Sequence, residues 1–304
     1  MIVILFAQLV LSGARPQPPV FRTSVETVYV DAFVTNHGTP VADLNPSDFL
    51  LKDNGVRQDV RLVDVHAVGT TAILAFDIST SVAGDKLADL RAAGRAVVAG
   101  LTERDRAAVV TFSSAMTLLQ PPTSDPGLLG STLDRLATGG GTSLLDAIFL
   151  CLKRSWGTER PFLLVFTDGE DTTSWLDTDA VLSAARTSLA LIHVVGVENP
   201  RPAVEPSRVV DLHGDPALTP VPEESHSVQF LRRLAEATGG AYWKAASFGQ
   251  LRDIFAAIMR GMNSRYVLSY EPTGVARAGR HHITLSVKTK SAAVKVRPEY
   301  VVPD

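Results

Sequence analysis

The hydrophobic positions fall into three stretches with different periods. From residue 25 the chain alternates, with Val28, Val30, Ala32 and Val34 on one face and Tyr29, Asp31, Phe33 and Thr35 on the other. That period of two predicts a half-buried strand. Asn36-His37-Gly38 then turns the chain, and Asp53-Asn54-Gly55 separates the apolar run at 49–51 from the segment at 56–63. Asn-Gly is a strong hairpin signal because both residues accept a positive φ. From Thr71 the pattern changes. Short apolar runs at 72–76, 107–112, 162–166 and 189–197 alternate with helix-length segments at 86–101, 144–155, 178–188, 228–238 and 248–262. Such alternation predicts βα units, and hence an α/β fold with a doubly wound, mostly parallel sheet covered on both faces. Residues 116–120 can supply one antiparallel edge strand. After Met262 the period of two returns at 266–270, at Ile283, Leu285 and Val287, and at Val294 and Val296.

The two β segments flank the α/β region, and neither has enough strands to bury a core alone. They are expected to pair into one small β-sandwich-like module, with the α/β domain inserted between them. The division expected is a signal-like segment and linker at 1–19, an N-terminal β segment at 20–69, the α/β domain at 70–262, and a C-terminal β segment at 263–304 that pairs with 20–69.

Composition narrows the class of function. Of 304 residues 45% are apolar and 20% charged, as in a folded globular protein, and the net charge is −3. Lys and Arg are scattered, so no basic footprint for nucleic acid exists. The single cysteine, Cys151, excludes an intrachain disulfide and a thiolate zinc site, and its apolar neighbours at 147–152 predict a buried structural thiol. No apolar stretch reaches the roughly 20 residues that span a bilayer. Residues 2–11 form an apolar run followed by the small residues Ser12-Gly13-Ala14, and residues 15–19 read as a Pro-rich linker. This predicts export to a periplasmic or extracellular setting. The missing basic flank leaves a core strand and a cytoplasmic location as the alternative.

The candidate chemistry sits where three polar elements follow the predicted strands: Asp77-Ile78-Ser79-Thr80-Ser81, Gly139-Gly140-Gly141-Thr142-Ser143 and Thr167-Asp168-Gly169. In a parallel α/β sheet ligands collect outside the carboxyl ends of the strands, so all three converge on one crest. Two carboxylates, Asp77 and Asp168, with the hydroxyls of Ser79, Ser81 and Thr142 form a hard oxygen set suited to Mg²⁺ or Mn²⁺.

Asp-x-Ser-x-Ser at 77–81, with Thr142 and Asp168 in the expected order over nearly the whole α/β region, resembles the metal-ion-dependent adhesion site of von Willebrand factor type A domains. The flanking β segments are closest to a bacterial family related to that domain. The resemblance implies a Rossmann-like fold, direct metal contacts from Ser79, Ser81 and Thr142, and water-mediated contacts from Asp77 and Asp168. It also implies a protein-binding module for adhesion or scaffolding, in which a partner's Asp or Glu completes the cation, and movement of the last helix, 248–262, on binding.

Plainer uses exist for several of these residues. Ser and Asp after a strand often only cap the next helix. Ser143-x-x-Asp146 reads as a capping box. The triple glycine lacks the lysine of a P-loop. His281-His282 would face opposite sides of a strand, and His193 reads as a core or edge residue. No enzyme is expected. The competing reading is a Mg²⁺-dependent phosphotransferase or phosphatase of the haloacid-dehalogenase type, whose Asp-x-Asp is here Asp77-x-Ser79, without the usual general acid. A serine hydrolase would need a G-x-S-x-G elbow. Finally, the Pro-rich connection 199–227 is long enough to be a functional loop beside the metal; residues 169–175 and 113–123 are the other candidate walls.

Overall fold

The computed structural model describes residues 27–63, 69–157, 160–168, 171–197 and 225–302. The signal-like segment lies outside them, as does the connection 199–227 apart from its last three residues.

The N-terminal segment supplies β1 (Val28–Asn36), β2 (Thr39–Pro40), β3 (Phe49–Asp53), β4 (Val56–Gln58) and β5 (Arg61–Val63). The α/β region follows as β6 (Thr71–Asp77), α1 (Asp85–Ala99), β7 (Arg106–Phe112), β8 (Met116–Thr123), α2 (Pro126–Asp134), α3 (Leu144–Lys153), β9 (Pro161–Thr167), α4 (Thr178–Thr187), β10 (Leu191–Val197), α5 (His226–Ala237), β11 (Ala241–Ala245) and α6 (Leu251–Asn263). The chain ends in β12 (Tyr266–Tyr270), β13 (Gly279–Val287), β14 (Ala292–Val296) and β15 (Glu299–Val302).

The central sheet has the order β11-β10-β9-β6-β7-β8. Its pairs are parallel except β7 with β8, so the 116–120 edge strand is antiparallel as expected. Alternate residues of β6 feed two cores. Ala72, Leu74 and Phe76 pack with Leu90 and Val97 of α1, Leu129 and Leu133 of α2, and Phe255 and Ile258 of α6. Ile73 and Ala75 pack with Ala147 and Ile148 of α3, Val181 of α4, and Leu231 and Leu234 of α5. Both faces of the sheet are therefore covered, which is why its strands read as unbroken apolar runs. Cys151 is buried in the second core, and burial pushes its thiol up to about 12.

The flanking segments form two sheets, β14-β1-β12-β5 with β2 on β1, and β15-β13-β3-β4. Val30, Val34, Leu268 and Tyr270 from one sheet meet Phe49, Leu51 and Ile283 from the other. Both turns behave as read: Asn54 and Gly55 have φ of 46° and 82°, and His37 and Gly38 have 48° and 81°.

This module is fixed beneath the α/β layer by buried charge. Asp31 of β1 accepts from Arg160, just before β9, at 2.9 Å. Arg265 donates to the carbonyls of Asp31 and Gly239, both at 3.2 Å. Arg297 donates to those of Ser188 at 2.6 Å and Ala190 at 2.8 Å. These partners precede β9, β10 and β11, so the module grips the amino-terminal edge of the parallel sheet and the carboxyl edge stays open. His193 is a core residue, as expected: its Nδ1 accepts from Trp243 Nε1 at 2.9 Å, and burial with the charges of Arg265 and Lys295 lowers its pKa to about 3. His281 is buried and His282 exposed, on opposite sides of β13.

Candidate metal centre

Strand β6 is buried throughout and ends in Asp77. The chain then leaves the sheet through Ile78, whose N–H donates to Phe112 at 2.9 Å and whose carbonyl accepts from Gly139 at 2.8 Å. Thr80 N–H donates to Gly140 at 3.3 Å, which binds the first polar loop to the glycine loop. Gly140 requires its residue type: its φ is +84°, and a Cβ there would lie 2.8 Å from Ser114 Oγ.

The sequence-predicted residues meet at this crest in a graded arrangement. Asp77 is fully buried and Ser79, Thr142 and Asp168 nearly so, whereas Ser81 is exposed. Asp77 Oδ1 accepts from Ser79 N–H at 3.0 Å, and Oδ2 from Thr167 Oγ1 at 2.9 Å. Ser79 Oγ and Ser81 Oγ are 2.9 Å apart, and Ser81 Oγ donates to Asp168 Oδ1 at 2.7 Å. Three of the five side chains, Ser79, Ser81 and Asp168, thus form one hydrogen-bonded line of oxygens, and Asp77 is tied to it through the Ser79 N–H. Thr142 is held separately from this line, by the loop after β9: its carbonyl accepts from Thr172 N at 2.8 Å and Thr173 N at 3.1 Å, and its N–H donates to Thr172 Oγ1 at 2.9 Å.

Burial raises the pKa of Asp77; the hydrogen bonds from Ser79 and Thr167 oppose this, and the charge of Asp168 adds to it. Two carboxylates in so dry a place favour a cation between them. Among the described residues no group of three or more His, Cys, Asp or Glu side chains is placed to hold a metal. What the crest offers is two carboxylates and three hydroxyls, hard oxygen donors of the class that hard divalent cations take.

Two features were not read from the sequence. Lys86, at the start of α1, donates to the carbonyl of Ser81 at 2.9 Å, and its ammonium lies 3.9 Å from Asp168 Oδ2 and 5.1 Å from the centre of the Phe248 ring. Its charge partly balances the two carboxylates. The second is Asp171, which corrects the expected capping box. Ser143 makes no side-chain cap; its hydroxyl donates to Ser113 at 2.6 Å. The first N–H groups of α3, on Leu144 and Leu145, donate to Asp171 Oδ1 at 2.7 and 3.2 Å. Asp146 in turn accepts from the N–H groups of Trp175 and Leu176. No local spacing signals a cap supplied from 27 residues away.

Residues 72–170 match the family described as von Willebrand factor type A domain. Over these residues the α/β unit is similar to a von Willebrand factor type A domain. The match contains Asp77, Ser79, Ser81, Thr142 and Asp168, and the doubly wound sheet with one antiparallel edge is the fold the resemblance implied. The chain is 23% identical over 261 residues to a UPF0353 protein of Mycolicibacterium paratuberculosis, covering 79% of this chain and 74% of that one. A von Willebrand factor type A structure from Catenulispora acidiphila superposes with a TM-score of 0.51 at 12% identity, over 91% of this chain and 72% of that one. Proximal thread matrix protein 1 from the mussel byssus, solved with a zinc-occupied MIDAS motif, gives 0.51 at 16% identity, over 68% and 49% of the two chains. These two likenesses show the fold alone. No helix among the described residues is long and apolar enough to cross a membrane.

Proposed function

We propose that Asp77, Ser79, Ser81, Thr142 and Asp168 hold one divalent cation, Mg²⁺ or Mn²⁺, and that the chain is an adhesion or scaffold module whose protein partner supplies an Asp or Glu carboxylate to that cation. The observation that carries this reading is the line of oxygens from Ser79 through Ser81 to Asp168, drawn from two separate strand ends and placed over the buried Asp77 carboxylate. Neutral hydroxyls leave a bound cation electrophilic, so an outside carboxylate is a favourable ligand. Ser81, at the exposed end, marks the side from which that ligand arrives. The match of residues 72–170 to the von Willebrand factor type A domain supports a protein-interaction module. The position at which a haloacid-dehalogenase-type enzyme carries its second Asp is Ser79, so phosphotransfer gains no support here. Residues 2–11 support export, the setting in which an adhesion module works. The proposed division keeps 70–262 as one domain, with 20–69 and 263–304 folding together.

Thermal melting tests the cation. A ligand that binds only the folded state stabilises it by about 2.7 kcal/mol at a hundredfold excess over its Kd. Millimolar Mg²⁺ should raise the Tm of the wild-type chain and chelator should reverse the rise, with no response from Asp77→Ala. A wild-type Tm indifferent to Mg²⁺, Mn²⁺ and chelator would overturn the proposal.

A further inference from the structure

Among the described residues Trp175 is the most open large apolar side chain. It is 96% exposed, against 66% for the next, Leu189. The other two tryptophans are engaged: Trp156 is buried and its Nε1 donates to the carbonyl of Cys151 at 2.8 Å, and Trp243 donates to His193. Single exposed leucines need no explanation, but an indole held almost wholly in water contributes nothing to the core.

The backbone beneath this indole is held firmly. Asp171 Oδ1 accepts from the first turn of α3 and from Ser174 Oγ at 2.6 Å. Thr172 exchanges hydrogen bonds with the N–H and carbonyl of Thr142. Trp175 N–H donates to both oxygens of Asp146, at 3.2 and 3.1 Å, and Leu176 N–H adds a third bond to that carboxylate at 3.0 Å. The loop is therefore held both before and after Trp175, and the residue to which Thr172 bonds, Thr142, is one of the proposed cation-binding residues. Three backbone steps lead from Thr172 to Trp175, a Cα–Cα reach of at most about 11 Å.

We propose that Trp175 is the aromatic anchor of the partner interface: it docks an apolar patch of a foreign protein that lies beside the carboxylate completing the cation. This rests on the metal reading above and goes beyond it by adding a second, cation-independent contact and a spacing rule for the partner. Tryptophan is enriched among the residues that dominate binding energy. A loop already fixed in place loses little freedom when the indole is covered. The partner is then a protein segment with an Asp or Glu and, at a fixed offset from it, a leucine, methionine or aromatic side chain.

The probe is a phage-displayed peptide library with one fixed Asp and randomised flanks, selected on the full chain in Mg²⁺. Winners should carry an apolar residue at a constant offset from the Asp. A synthetic winner should bind Trp175→Ala about tenfold or more weakly than wild type, with Trp175→Phe in between, while Mg²⁺ affinity measured without peptide is the same in all three. Binding should also shift wild-type tryptophan emission to the blue. Winners that bind Trp175→Ala as tightly as wild type, flanks without apolar preference, or a selection that yields no winner would each overturn the anchor. Mg²⁺-dependent self-association lost in Trp175→Ala would overturn the foreign partner in favour of a second copy. The two readings fail separately. Peptide binding lost with chelator but kept in Trp175→Ala sinks only the anchor, whereas binding indifferent to chelator and to Asp77→Ala sinks the cation.

Discussion

The molecule builds two clusters from a carboxylate and hydroxyl donors and uses them differently. In the β module, Asp53 is fully buried at the end of β3 and accepts from Tyr270 at 2.9 Å and Tyr300 at 3.0 Å, with His281 Nδ1 at 2.9 and 3.0 Å from its two oxygens. The His281 and Tyr300 rings stack at 4.5 Å. These donors are large side chains on β12, β13 and β15, from both sheets, and none can turn away without opening the core. Tyr270 shows how dry the place is: burial first, then Tyr300 and Asp53, hold its hydroxyl far above its ordinary pKa. At the crest Asp77 keeps buried donors, the Thr167 hydroxyl and the Ser79 N–H, but Asp168 accepts from Ser81, a short side chain on an exposed loop. A serine hydroxyl reorients by one rotation and can give up a carboxylate for a cation. Carboxylate and hydroxyl thus hold the fold where the donors are bulky and sealed, and offer a binding site where they are short and open to water.

That contrast can be broken at either cluster. The largest effect belongs to separating the two β segments. Residues 23–65 alone contain Asp53 but none of its partners, and leave an apolar sheet face uncovered. The fragment should be unfolded, and a dispersed amide spectrum from it would show that the holding cluster is not needed. Next, Asp53→Ala strands His281 and two tyrosine hydroxyls in the core and should cost about 3–5 kcal/mol, read by chemical denaturation with and without Mg²⁺. The loss should be the same in both, because this cluster has no part in cation binding.

A smaller effect sharpens the crest. The Asp77 pKa is raised above its ordinary value of 3.8, so its protonated form is favoured in the fold. The stability this gives is fully present below the ordinary value and is lost as pH climbs through the raised one. Without metal, Asp77→Asn should therefore gain on wild type in Tm as pH rises from acid to neutral. With saturating Mg²⁺ at neutral pH the order should reverse. Parallel pH profiles for the two chains in chelator would contradict the burial of that charge.

Much of this arrangement was legible in the chain. The two cores follow from runs such as 72–76 and 162–166, and both Gly-containing turns follow from their residue types. The crest residues could be placed because each follows a strand or precedes a helix. Other elements could not. α2 opens with an Asp125-Pro126 cap, but Gly127 and Gly130 weaken its helical signal. β11 is a short edge strand, mostly half-buried, with little alternation to detect. The holding cluster joins Asp53 to His281 across 228 positions, and Asp171 caps α3 from 27 positions away. Contacts set by tertiary closure leave no periodic trace, and this is why the capping box at Ser143 and Asp146 was misread.

The central claim is one cation held by the crest, and Mn²⁺ counted by electron paramagnetic resonance tests it most directly, because bound Mn²⁺ leaves the signal of the free ion. The account predicts one Mn²⁺ per wild-type chain, displaced by Mg²⁺, and no high-affinity ion in Asp77→Ala or Asp168→Ala. A wild-type chain that leaves the free-ion signal unchanged at millimolar Mn²⁺, or crest variants that bind as wild type does, would contradict it.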